Sequence, residues 1–179
     1  MARIPYVDPS DASPRVRETL EALPDLKIFR TLAHAETCFR AAMRLGGSIL
    51  GRQRLDGALR ELAILHVART TGAEYEWVQH VPIARSVGVS DQQVSALGRG
   101  DPAADCFAPT EALVLRVTDE VLADDGASAE AFDALVERLS AQEAIELLLA
   151  VGYYRTLATV MRSVDIDLDE PAGTVLVDS

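Results

Sequence analysis

The chain has 179 residues, enough for one domain with a sizeable core, and its 49% hydrophobic content excludes a disordered polymer. The formal net charge of -11, from 28 acidic and 17 basic side chains, opposes a phosphate backbone and argues against a nucleic-acid partner. Aromatic residues are only 5%, and Ala and Leu dominate the apolar set, which favours helix because both lose little side-chain freedom there.

Taken in chain order, an extended N-terminal arm runs to about Ser13, with Pro5 and Pro9 opposing regular structure. Met1 to Tyr6 has no apolar run behind Arg3, so no signal peptide is expected. Ser13-Pro14 forms an N-cap followed by proline at the first helical position, and the short helix it opens runs to about Ala22 before Pro24 breaks it. The next helix covers roughly Ala35 to Leu50, with Phe39, Met43 and Leu50 on one side and Gly46-Gly47 weakening its middle or ending it early. Asp56 is positioned to cap a helix over Gly57 to Thr71, which Gly72 closes.

A further helix is expected from Glu74 to Val87, kinked at Pro82 and ended by Gly88. Ser90 to Gln93 is a capping box opening a short helix, and Leu97 to Ala108 is a surface loop. Three more helices follow over about Pro109 to Asp124, Ser128 to Leu139 and Ala141 to Arg162, the last opened by a second capping box at Ser140 and Glu143. The tail after Ser163 is expected to be extended and ordered only against a neighbouring chain. Strand-like alternation is nearly absent, so the predicted class is all-α. The longest apolar run, Leu147 to Tyr154, has core-helix length and is too short to span a bilayer. Cytoplasm is the expected compartment, with Cys38 and Cys106 as free thiols, since neither stands in a Cys-x-x-Cys motif or at metal-ligand spacing.

The candidate chemistry lies in Arg60-Glu61 to Arg69 and Glu74-Tyr75-Glu76-Trp77-Val-Gln79-His80. Glu61 stands in an apolar helical run, and burial without a cationic partner would raise its pKa toward general-acid range. A glutamate in such a run is more often exposed, or paired with an arginine such as Arg60, than catalytic. Glu76 and His80 are four residues apart, about 40° on one helix face, so the carboxylate can fix the imidazole tautomer. That spacing also describes an ordinary surface pair. Tyr75 and Trp77 flank the two and would supply an aromatic wall for a small flat substrate. His34 and His66 are expected to be structural, Arg99-Gly100-Asp101 is a loop coincidence, and no histidine pair has metal-ligand spacing, so no metal is expected.

The run from Leu59-Arg60-Glu61 through Ala68-Arg69, Gly72, Tyr75-Glu76-Trp77 and His80 to Ala84 and Gly88-Val-Ser resembles the signature of the carboxymuconolactone decarboxylase family. Glu143 to Leu148 and Val151-Gly-Tyr153-Tyr-Arg155 resemble that family's final core helix, so the similarity spans about residues 28 to 168. The resemblance implies a single-domain helical bundle of the alkylhydroperoxidase D-like fold over 28–168, preceded by an arm and short helix over 1–27 and followed by a tail over 169–179. In the peroxidase branch a Cys-x-x-Cys pair precedes the matching histidine; here those positions are Ala73 and Glu76, so thiol-disulfide peroxide reduction has no nucleophile.

The decarboxylase branch implies Glu61, Glu76 and His80 as catalytic residues, no cofactor, and acid/base decarboxylation or related proton transfer on a small lactone or carbonyl compound. A non-catalytic binding or structural oligomer of the same fold is the alternative. A buried pocket holding His80 and both glutamates would favour the enzyme, and Glu76 and His80 on open surface would exclude it. The dedicated lactone decarboxylases are shorter than this chain, which resembles the broader branch whose substrates could include cyclic ketones, lactones or polyketide-derived aromatics. The resemblance further implies a homo-oligomer, a trimer or hexamer. Among Arg60, Arg69 and Arg85, the last is the first choice to hold a substrate carboxylate because it follows His80 on the same helix, although an ideal helix turns it to another face.

Overall fold

The computed structural model describes residues 1–124 and 126–173. Among these residues there are nine helices and no strand: α1 Pro14–Glu21, α2 Lys27–Leu32, α3 Glu36–Gly51, α4 Gly57–Thr71, α5 Glu74–Ser86, α6 Asp91–Gly98, α7 Pro109–Asp124, α8 Ala129–Arg138 and α9 Ala141–Val164. α4 is the central element. Every residue from Leu59 to Ala68 is buried, so it has no solvent face, and it is enclosed by α9, α5 and α7. That continuous burial carries Arg60, Glu61 and His66 inside the protein together with the apolar residues around them.

The local signals act where the chain spacing put them. The Asp56 carboxylate accepts from Ala58 N at 2.9 Å and Leu59 N at 3.2 Å, and Gly72 ends α4 in the left-handed region at φ 70. Both capping boxes form, at Ser90–Gln93 and at Ser140–Glu143. Ser13 occupies the N-cap position of α1 but gives α1 no side-chain cap; its hydroxyl donates to Glu36 Oε1 at 2.6 Å instead.

Four expectations are corrected. Gly46-Gly47 neither ends nor interrupts α3, which runs to Gly51. Gly46 is there for clearance: a Cβ on it would stand 2.6 Å from the Tyr153 hydroxyl oxygen, so only glycine admits α9 this closely. Second, α2 lies between Pro24 and Ala35, where no helix was expected. Its six residues make no side-chain cap of their own, and the N–H of Lys27 is satisfied by Asp169 Oδ2 at 2.7 Å, a partner 142 residues away.

Third, α9 is longer than its most apolar run and, by length and composition, could cross a membrane. It serves here as a core helix, with Leu147, Ala150, Val151 and Tyr154 buried and with contacts to α3, α4, α7 and α8. Fourth, the tail, expected to need a neighbouring chain, is anchored on its own chain as far as Ala172, while its residues 174–179 lie outside the described ones.

Candidate active site

α5 places Glu76 and His80 one turn apart and turns both inward, where they are 2% and 5% exposed. α4, packed against α5, brings Glu61 to the same point with no exposure at all. Glu61 lies between two nitrogens. Arg60 Nε–H donates to Oε1 at 3.0 Å, and His80 Nδ1 lies 2.8 Å from Oε2. A guanidinium only donates, so Glu61 is the acceptor of both; the imidazole proton then sits on Nδ1 and the lone pair on Nε2. The edge of Tyr154 meets the His80 ring at a centroid distance of 4.8 Å and an interplanar angle of 86°, which fixes the ring from the α9 side.

The two glutamates therefore exchange the parts expected of them. Glu61 has a cationic partner, Arg60. Glu76 has none: both its oxygens are buried and without a hydrogen bond, because the His80 nitrogen it was expected to hold is taken by Glu61. Burial, with a smaller contribution from the Glu61 charge, raises the Glu76 pKa well above the usual carboxylate range and favours its neutral acid form.

Glu76 and His80 line a cavity of about 140 Å³ between α2, α3, α5 and α9, whose wall is otherwise largely apolar and includes Ile28, Phe29, Met43 and Leu157. Tyr75 also lines it, but its hydroxyl is committed to Asp169 Oδ2 at 2.7 Å. Tyr153 lines it too; its hydroxyl donates to Ala42 O at 3.1 Å, and its pKa is pushed up to about 12 by burial and then by the Glu76 charge.

Trp77 and Arg85 are not among the lining residues. Trp77 packs on the other side of α5, where a Cβ on Gly98 of α6 would be 3.4 Å from its ring. The Arg85 side chain is 55% exposed and pairs with Asp91 at 2.8 Å, as the ideal helix turn requires. Neither placement supports the substrate contact expected of it. His66 pairs with Asp119 at 2.6 Å and His34 with Pro5 O at 2.7 Å, both away from the cavity wall.

The sequence reading missed the floor and the latch. Tyr153 and Tyr154 stood in the segment that resembles a family core helix, and a paired aromatic facing a predicted histidine was the available signal. Asp169 had no such signal. Its carboxylate accepts from Tyr75 Oη and Lys27 N and pairs with Lys27 Nζ at 3.1 Å, while Gln79 accepts from Ala172 N at 2.9 Å and donates to Glu170 O at 3.1 Å. These bonds hold the tail across α2 and α5, beside the cavity. Asp169→Ala is expected to lower stability by about 1–3 kcal/mol in urea denaturation and to speed amide exchange at Lys27 and Ala172. Unchanged exchange at both amides would show that the latch is unimportant.

Residues 36–120 match the model of the Carboxymuconolactone decarboxylase family. Over this stretch, a little under half of its length, the chain is similar to that family. The family segment begins with α3 and ends within α7, so it contains Glu61, Glu76 and His80 but not the α9 tyrosines or the tail. Two solved structures share the fold. One, from Ralstonia eutropha JMP134, is described as an alkylhydroperoxidase AhpD core and an uncharacterized peroxidase-related protein; it is 17% identical with a TM-score of 0.78, over 94% of this chain and 92% of that one. The other is a protein of unknown function from Agrobacterium tumefaciens, described as a candidate antioxidant defence protein AhpD; it is 19% identical with a TM-score of 0.69, over 94% of this chain and 99% of that one. A comparison with curated proteins finds no match.

Proposed function

We propose that this protein catalyses proton transfer, without a cofactor, on a small carbonyl compound bound in the cavity. One observation carries the reading: a buried, unpartnered Glu76 carboxyl stands on the cavity wall beside a histidine whose other nitrogen is bound to Glu61. A carbonyl substrate is its own electron sink, so the side chains suffice. His80 Nε2 removes the proton from the carbon next to the carbonyl; the C–H pair becomes a carbon–carbon π bond and the C=O π pair moves onto the oxygen. The oxygen that gains charge accepts a hydrogen bond from the Glu76 O–H. The imidazolium, stabilised by Glu61, returns the proton at the γ carbon of a β,γ-unsaturated substrate, which completes an isomerisation.

Peroxide reduction by a thiol pair finds no such pair in this chain. The positions that would hold the thiol pair are Ala73 and Glu76, and the two cysteines, Cys38 on α3 and Cys106 after α6, are unpaired and lie elsewhere.

The test is the conversion of cyclohex-3-enone to its conjugated isomer cyclohex-2-enone, followed by ultraviolet absorbance. Wild-type protein is expected to accelerate it at least about 100-fold over buffer, the lower end of acid/base catalysis, and to place deuterium from heavy water at the γ carbon. Absence of both acceleration and deuterium incorporation would abandon the reaction and leave a small-molecule-binding protein of this fold.

A further inference from the structure

We propose that the cavity selects an uncharged, single-ring ligand bearing one acceptor oxygen, and excludes carboxylated lactones such as 4-carboxymuconolactone. The inference rests on the proposed reaction only in taking Glu76 and His80 as the ligand-facing groups. Three observations support it. The first is size: about 140 Å³ is close to the void of roughly 150 Å³, lined by Leu, Ile and Phe, that holds one benzene ring in an engineered protein cavity.

The second is charge. Among the described residues no lysine or arginine lines the cavity. The buried guanidinium nearest in sequence to the site, Arg60, donates its Nε–H to Glu61 and is not a lining residue. Lys27, at the start of α2, is tied to Asp169 at 3.1 Å and to Leu168 O at 2.6 Å. Arg85, the arginine first expected to hold a substrate carboxylate, is on the surface with Asp91. An anionic ligand would thus lose its water in a largely apolar wall and gain no lysine or arginine partner, which is the costly arrangement for a buried charge.

The third is the number of polar groups offered. Tyr75 and Tyr153 line the wall with hydroxyls already donated to Asp169 and Ala42, whereas the Glu76 carboxyl is buried, on the wall and without a partner. One neutral acid, with the His80 ring beside it in an otherwise largely apolar wall, matches one carbonyl or ether oxygen on an apolar ring.

The chain contains three methionines, and their positions provide a reporter. Met43 and Met161 line the cavity, while Met1 is fully exposed at the chain start. Protein labelled with carbon-13 at the methionine methyls is titrated at about pH 8 with cyclohexanone, cyclohexanecarboxylate and cyclohexanecarboxamide. At that pH the acid is ionised and the amide is its neutral counterpart of equal shape. Cyclohexanone and the amide are expected to shift Met43 and Met161 saturably and leave Met1 unmoved. The carboxylate is expected to bind at least about tenfold more weakly than the amide.

Carboxylate binding as tight as the amide would overturn the charge selection. Ketone shifts confined to Met1, or absent, would overturn the site itself. Binding is read on wild-type protein and without turnover, so the two readings fail separately. Selective ketone binding with no enone isomerisation would sink the proposed reaction alone. Isomerisation accompanied by equal carboxylate binding would sink the selectivity alone.

Discussion

Replacing His80 with alanine is expected to lower kcat for cyclohex-3-enone isomerisation by about 10²–10⁴-fold, with KM changing far less. The asymmetry follows from the geometry. The ring contributes one face of a largely apolar wall, so ground-state binding loses little, whereas no other lining side chain combines a free imidazole nitrogen with a buried carboxylate behind it. The substitution also leaves the Glu61 Oε2 without its partner, although Arg60 still holds Oε1 at 3.0 Å, so a modest loss of stability accompanies it. Added imidazole separates the two effects. The alanine variant vacates the space of one ring, and exogenous imidazole is expected to restore part of the rate without raising the denaturation midpoint. A variant that keeps wild-type kcat would remove His80 from the chemistry. Rescue of stability together with rate would reduce it to a packing role.

The second large effect is on stability against pH, and it isolates Glu76. In the unfolded chain this carboxyl loses its proton near the ordinary value of 4.5, while burial and then the Glu61 charge keep the proton on in the folded protein. Between those two values the folded state binds a proton that the unfolded chain has released. Its contribution to stability is therefore complete below about 4.5 and is lost as pH rises through the elevated folded value.

Glu76→Gln cannot ionise. The difference in unfolding free energy between variant and wild type is expected to move in the variant's favour as pH is raised from about 5 to 8, by about 1.4 kcal/mol for each pH unit crossed between the unfolded and folded values. Urea denaturation of both proteins across that range measures it, and the other titrating groups cancel in the difference. Parallel curves would show that the Glu76 carboxyl titrates as an ordinary exposed acid. The same titration bears on catalysis: as an acid, Glu76 supports the reaction only while it holds its proton, so the wild-type rate is expected to decline on the alkaline side.

Much of the framework was legible in the chain because it depends on neighbours within four residues. The Asp56, Ser90 and Ser140 caps, the left-handed Gly72 and the apolar run of α4 are local patterns, and they delimit the helices that present the site. The same locality explains what was misread. α2 owes its first hydrogen bond to Asp169, and Gly46-Gly47 resembles a helix breaker until Tyr153 is seen against it. Trp77 and Arg85 were grouped with His80 because they are close in sequence, yet one lies against α6 and the other in solvent.

The sequence by itself determined the all-α class, the family resemblance, and the three residues around which a site could be built. Only the tertiary structure decided which glutamate does what. Helical spacing paired His80 with Glu76, but the packing of α4 on α5 delivers Glu61 to the Nδ1 position first, and it arrives already neutralised by Arg60. Glu76 is left in the apolar wall with no hydrogen bond, where desolvation governs its protonation. Spacing along a helix states which side chains share a face. Which of them keeps its charge depends on the water and the cations that distant segments remove or supply.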